Sequence, residues 1–266
     1  MRAYLTAGRY GLLVMARNRL AAVLLIAFVP LWITVAKTVT TPAAFPFRLR
    51  ATGTWLHAGG DEITMISGSL NAVSLLVGFL MFSTARRTRA FDRRLAAAGY
   101  PRAALIAAKL TALLTAAVLV SAYATGWMLL FWSPVQPLLL GGAVLAVALV
   151  YGTLGTCLAL FLPGEVEGLV TIIMVSIIDL APQNPVAATT ADSPLVGLLP
   201  SYGSLQTSLA AGYTHQATLA PLTHSAVWLA AAAGTSAAAF LSHTRTYASP
   251  GPRTRKGARH HGGGRR

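Results

Sequence analysis

The chain has 266 residues, of which 55% are hydrophobic and only 11% are charged, and its formal net charge is +14. Soluble domains carry about 25% charged residues, so this composition excludes an ordinary soluble protein and indicates a polytopic membrane protein. The length leaves no room for a separate soluble domain of ordinary size. The expected fold class is therefore all-α, with helices that cross a bilayer.

Six apolar stretches are interpreted as membrane spans. They are Leu20–Val35, Thr64–Ser83, Ala104–Phe131, Leu138–Leu162, Leu169–Leu180 and Thr223–Leu241. When these spans alternate across a bilayer with the N-terminus inside, 18 of the 21 Lys and Arg residues lie on the cytoplasmic side. Lys and Arg are enriched in cytoplasmic loops, so the sequence predicts six spans with both termini inside.

The spans divide the chain into three parts. Residues 1–19 are expected to form a cytoplasmic interfacial helix, residues 20–242 a six-helix transmembrane domain, and residues 243–266 a disordered basic tail. Outer loops are expected at about 38–63, 133–137 and 181–222, and inner loops at about 84–103 and 163–168. The N-terminus has the basic and apolar regions of a signal peptide but no convincing cleavage site, so we expect the first helix to be retained.

Few residues in this chain have a pattern that indicates catalysis. There is no HExxH and no GxxxxGK[ST] motif, so the chain cannot bind ATP through a phosphate-binding loop of that form. Its single cysteine, Cys157, cannot form an intrachain disulfide. We expect no metal, no cofactor and no enzymatic activity on this chain. The basic residues flank apolar spans, which favours anionic lipid headgroups over nucleic acid as their partners.

Two spans carry small or weakly polar residues at helical spacing. Ser67, Asn71, Ser74 and Gly78 share one face of the second span, and Gly152 and Thr156 lie on one face of the fourth. Such faces allow helices to pack closely, and they could also line a transport path. Asp179, at the outer end of the fifth span, is the carboxylate that a proton-coupled carrier would need if it were drawn inward.

The most informative segment lies between the second and third spans, at residues 86–102. Phe91 and Leu95 fall on one face of a predicted short amphipathic helix, and arginines cover the rest. Gly99 is expected to end this helix, and Pro101 to begin the next one. The segment could be an interfacial helix held by anionic lipid, or a lever moved by a soluble partner.

This segment resembles the cytoplasmic signature of ABC type-2 exporter permeases. The residues that carry the resemblance are Asp92, Leu95, Gly99, Pro101, Arg102, Leu105 and Lys109. The predicted topology, the interfacial N-terminal helix and the long outer segment before the last span match as well, so the resemblance extends over about the whole chain.

The resemblance implies a function for the chain as a multi-pass permease subunit in a bacterial plasma membrane. Residues 86–102 would contact a separate ATP-binding subunit, which would hold ATP and magnesium. Glu165 and Glu167 would form a second contact, or would be two solvated turn carboxylates. Two permease subunits, identical or different, would pair and export a hydrophobic or amphipathic substrate such as a drug, lipid-like molecule or peptide. The alternatives are a membrane anchor, immunity or sensor component, and a secondary transporter.

Overall fold

The computed structural model of the chain describes residues 8, 9, 13, 15, 17, 19–188 and 193–245. Most of the predicted interfacial helix, residues 189–192 of the long outer segment and the tail beyond residue 245 lie outside the described residues. Helices dominate the described part. In chain order they are α1 (Arg19–Val23), a π-helical turn (Leu24–Phe28), α2 (Val29–Val39), α3 (Gly60–Ala97), α4 (Arg102–Met128), α5 (Pro137–Phe161), α6 (Glu165–Leu180), α7 (Tyr202–Tyr213) and α8 (Leu222–Arg245).

Three of these helices are long and apolar enough to cross a membrane, namely α3, α4 and α5. Helix α3 has 38 residues, which at 1.5 Å per residue is about 57 Å. A hydrocarbon core is about 30 Å thick, so α3 extends well beyond one. These helices agree with an all-helical membrane protein, while six spans and their orientation remain predictions.

The first apolar stretch is divided by a local change of helix type rather than by a simple bend. The Val29 N–H donates to the Leu24 carbonyl, which is the i to i+5 pattern of a π-helix. Pro30 follows directly and has no N–H to donate to Ile26. A proline inside an apolar helix usually produces a kink. Here the structure has a widened turn immediately before Pro30, where π-helical geometry interrupts the regular ladder.

A β-hairpin occupies most of the first predicted outer loop, for which no fold was expected. Strand β1 (Ala44–Leu49) pairs antiparallel with β2 (Thr54–Gly59), and Phe47 faces Leu56 in the register. Phe47 and Leu49 are buried, while the residues between and before them are exposed. Gly53, with φ +72°, provides the left-handed conformation in the turn. This hairpin marks one end of the molecule, here called the hairpin end.

Helix α7 lies in the long segment that was predicted as an outer loop. It has 12 residues, and all residues from Gly203 to Gly212 are buried. The Val135 and Gln136 N–H groups donate to the carbonyls of Gly212 and Ala211, which places the end of α7 beside the turn between α4 and α5. The helix therefore packs inside the bundle, and the described part of this segment is not a simple surface loop.

The core lies where α3 and α5 cross. Helix α3 also packs against α2, α4 and α6, and α5 packs against α4, α7 and α8. Large apolar side chains on the outer faces are exposed, including Leu119 on α4, Ile178 on α6 and Val227 on α8. An apolar exterior of this extent is incompatible with water and suits a lipid environment.

Candidate functional site at the basic end

The end of the molecule opposite the hairpin is formed by the last turns of α3, the turn after it and the start of α4. We call this region, residues 86–102, the basic end because it contains six arginines. The sequence predicted a separate amphipathic helix here. Instead, α3 continues without a break through the second predicted span to Ala97. No helix breaker lies between Ser83 and Ala98, so the helix propagates past the membrane-spanning part.

The turn itself forms where the sequence predicted it. Gly99 adopts φ +84°, a left-handed conformation that costs glycine little. The Tyr100 N–H donates to the Leu95 carbonyl and closes the end of α3. Pro101 is the N-cap residue of α4, one position before the predicted first-turn position. The two helices are thus joined by a short, defined turn.

Two arginines connect α3 to the turn between α5 and α6. The Arg86 Nη1 donates to the Leu162 carbonyl. The Arg87 Nε and Nη2 donate to the Glu165 Oε1 and Oε2 at 3.0 and 3.3 Å. This bidentate hydrogen bonding from Arg87 holds the pKa of the Glu165 carboxyl below its usual range. The two regions predicted to contact a partner, residues 86–102 and Glu165, therefore lie side by side.

A second ion pair joins α3 to α4. The Lys109 Nζ lies 2.6 Å from the Asp92 Oδ2, and Asp92 is buried. Asp92 was proposed, through the family resemblance, as a residue that meets the partner. In the described structure its carboxylate instead fixes the angle between two helices of the same chain.

The other candidate contact residues differ in exposure. Phe91 is 39% exposed, and Gly99, Pro101 and Glu167 are exposed. Leu95 and Arg102 are half-buried, and Leu95 lies with Leu105 between α3 and α4. Phe91 together with the exposed Arg93 and Arg94 is therefore the part of the segment that a partner could reach directly.

The predicted small-residue faces lie in the helix core. A Cβ on Gly155 would lie 2.1 Å from the Gly78 carbonyl oxygen, and one on Gly152 would lie 2.3 Å from Leu113 Cδ1.

The polar side chains on these faces are also in the core. Ser67 and Thr156 donate to the carbonyls of Ile63 and Gly152 in their own helices. Ser74 is fully buried and Asn71 is half-buried. These contacts support helix packing, one of the two interpretations of these faces.

Asp179 lies at the end of α6, as predicted, but it is 98% buried rather than placed at the outer surface. The Tyr151 hydroxyl donates to its Oδ2 at 2.6 Å, and the Gln183 Nε2 donates to its Oδ1 at 2.9 Å. The Ser201 N–H donates to the same carboxylate at 3.1 Å. Every one of these donors belongs to a different element, so the carboxylate ties α5 and α6 to the segment that leads into α7.

The Asp179 network could not be found by pattern, because Tyr151 and Ser201 are separated from Asp179 by 28 and 22 residues and no member belongs to a motif. The same is true of the Arg86 contact with Leu162, across 76 residues. Within the described ranges, no group of three or more His, Cys, Asp or Glu is placed to hold a metal ion.

The chain was compared with family models, with curated proteins and with solved structures, and it matches none of them.

Proposed function

We propose that this chain is the membrane subunit of an ATP-driven exporter, and that its basic end binds a separate ATP-hydrolysing subunit. The observation that carries this proposal is the joining of the two inner segments. Arg86 and Arg87 hold the end of α3 against the turn that begins α6. A partner that binds the basic end would therefore move two membrane helices together.

The continuity of α3 supports a role as a lever. A helix of about 57 Å that extends from the hairpin end to the basic end transmits displacement as a rigid body. Its apolar middle packs against α2, α4, α5 and α6. Movement of the basic end would change the positions of these four helices relative to the opposite side of the membrane.

The exposed charge pattern supports a protein partner with acidic groups. Phe91 provides an apolar anchor, and exposed Arg93 and Arg94 surround it. Aromatic and arginine side chains dominate the energetics of protein interfaces. ATP and magnesium would be bound by the partner, since this chain has no phosphate-binding loop of the GxxxxGK[ST] form.

In the proposed cycle, two permease subunits, identical or different, pair within a bacterial plasma membrane. ATP binding closes the two partner subunits, and each basic end moves with them. The spans then open alternately to the inside and the outside. Apart from the ion-paired Asp61 and Asp92 and the hydrogen-bonded Asp179, the core of the described bundle consists of apolar and weakly polar side chains. Such a core suits a hydrophobic or amphipathic substrate better than a small ion.

The deciding experiment is purification of the tagged chain from its native host in a mild detergent, followed by identification of the proteins that co-purify. The expected result is a stoichiometric soluble ATPase that is lost when residues 86–102 are replaced by a Gly/Ser sequence of equal length. Absence of an ATPase under several detergents would contradict the proposal and favour an anchor or a secondary transporter.

A further inference from the structure

An apolar groove opens between α3, α4, α5 and α8 next to the basic end. We call it the basic-end groove, and its walls include Arg89, Arg93, Ile106, Leu110, Leu160 and Ala237. Its volume is about 130 Å³, close to that of an engineered apolar cavity of about 150 Å³ that binds benzene. The groove can therefore hold a segment of hydrocarbon without a change in the helices around it.

One end of this groove carries uncompensated positive charge. Asp92 and Lys109 also line it, but they neutralise each other at 2.6 Å. In the part of the chain that the structure describes, no carboxylate lies within ion-pair distance of Arg89 or Arg93. Like charges four residues apart on a helix repel each other, so an anion between these two guanidinium groups would relieve an unfavourable interaction.

The rest of the groove is lined by apolar side chains, some of which are also exposed on the outer face of α4. Leu110 is 55% exposed, and Leu114, one turn further along α4, is 52% exposed. A ligand with its chain against these residues would therefore be continuous with the acyl chains around the bundle. Ser236 also lines the groove, and its buried hydroxyl has no hydrogen-bond partner among the described residues.

We propose that the basic-end groove binds one anionic phospholipid of the surrounding membrane, with its phosphate between Arg89 and Arg93 and one acyl chain against α4 and α8. Arginine binds phosphate oxygens in a bidentate manner, and anionic lipids are attracted to basic segments at the membrane surface. The bound lipid would fill the space between α3 and α8 and would stabilise the basic end in the observed position. This assignment does not depend on an ATPase partner.

The test is native mass spectrometry of the full chain in detergent with added palmitoyl-oleoyl phosphatidylglycerol, compared with phosphatidylcholine of the same chains. We expect one phosphatidylglycerol to be retained at energies that remove the others. Arg89→Gln combined with Arg93→Gln should weaken its apparent affinity by about tenfold or more. As a matched comparison of single variants, Arg93→Gln should weaken the affinity by about fivefold, whereas Arg94→Gln, which removes one arginine from the adjacent position outside the groove, should change it by less than about twofold.

The acyl-chain half of the proposal is tested separately. Ala237→Phe would fill the groove and should abolish the retained lipid, whereas Ala238→Phe, at the adjacent exposed position, should not. Arg89→Lys combined with Arg93→Lys should restore the binding only in part, because lysine keeps the charge but cannot bind phosphate oxygens in the bidentate manner of arginine. Equal retention of phosphatidylcholine, or equal binding by the groove variants and their controls, would overturn the proposal. Size-exclusion profiles of all variants would show which of them remain folded.

Discussion

The backbone of Gly155 in α5 lies directly against the backbone of Gly78 in α3, where a Cβ at position 155 would come within 2.1 Å of the Gly78 carbonyl oxygen. Gly78 lies near the middle of α3 (Gly60–Ala97) and Gly155 lies in the last third of α5 (Pro137–Phe161), so the contact fixes how closely the two central helices approach. Small residues at such crossings permit favourable backbone and side-chain contacts in membranes, where the hydrophobic effect does not drive association.

Gly155→Ala should therefore destabilise the protein by about 1 to 3 kcal/mol, since the added methyl group must force the helices apart. The matched control is Gly142→Ala on the same helix, where an added Cβ meets nothing within 4 Å and the expected change is within about 0.5 kcal/mol. Thermal unfolding midpoints in detergent would measure both. Equal midpoints for the two variants would contradict the close crossing of α3 and α5.

Asp179→Ala should destabilise the protein by about 2 kcal/mol or more, because it leaves two buried donors without an acceptor. These donors are the Tyr151 hydroxyl and the Ser201 N–H, whereas the Gln183 amide still donates to the Asp179 carbonyl and the Ser201 hydroxyl. Asp179→Asn keeps the side-chain volume and one acceptor oxygen, so it should cost clearly less. Thermal unfolding midpoints in detergent would measure both variants. An alanine variant as stable as the asparagine variant would exclude a structural role for the hydrogen bonds to the Asp179 side chain.

Local signals predicted the features of the basic end that depend on neighbouring residues. Gly99 and Pro101 act on the backbone at their own positions, so the end of α3 and the start of α4 were predicted within about one residue. The continuity of α3 through residues 84–97 was missed because the arginine-rich segment was interpreted as a separate amphipathic helix after the second span. No Gly or Pro lies between Ser83 and Ala98, and the uninterrupted run of residues without a helix breaker was the signal that could have identified one long helix.

Two other differences lie in the predicted outer loops. The first loop contains a hairpin, for which alternation at Phe45, Phe47 and Leu49 with a glycine turn after them was a local signal. Burial of α7 had a weaker signal, because the apolar residues of this segment do not by themselves show which helices they contact. Only packing against α5 and α8 determines where this segment lies.

Phe91→Asp should weaken the affinity for the proposed ATPase by about thirtyfold or more, since truncation of a central aromatic anchor costs about 2 kcal/mol or more. Trp55→Asp replaces an exposed aromatic at the hairpin end and should leave retention unchanged. Leu95→Asp is the less specific variant, because Leu95 lies between α3 and α4. Pull-down from membranes with the tagged chain measures the effect, and normal retention by Phe91→Asp would exclude this surface as the contact.

Glu165→Gln tests the ion pair with Arg87 through its pH dependence. The folded-state pKa of Glu165 lies below its usual range because of hydrogen bonding from Arg87. The pair therefore stabilises the fold above the ordinary carboxyl pKa of about 4.3, and its contribution is lost as the pH falls through the lowered value. Both side chains are nearly half exposed, so the expected effect at pH 7 is within about 0.5 kcal/mol.

The measurement is the difference in thermal midpoint between the native chain and Glu165→Gln, taken at pH 7 and at successively lower pH. This difference should shrink toward zero under acidic conditions and in high salt. Glu167→Gln, two residues along, removes an exposed carboxylate that has no Arg87 contact and serves as the control. A difference that grows as the pH falls would contradict the assigned pair.

Cysteine labelling tests whether the hairpin end and the basic end lie on opposite sides of a membrane. In a Cys157→Ala background, Thr52→Cys places a thiol at the exposed hairpin turn and Ala90→Cys places one at an exposed position of the basic end. The excess of Lys and Arg at the basic end predicts that this end is cytoplasmic. An impermeant maleimide should therefore label position 52 in intact cells and position 90 only after lysis. The reverse pattern would invert the topology, and equal labelling of both positions in intact cells would mean that α3 does not span the bilayer.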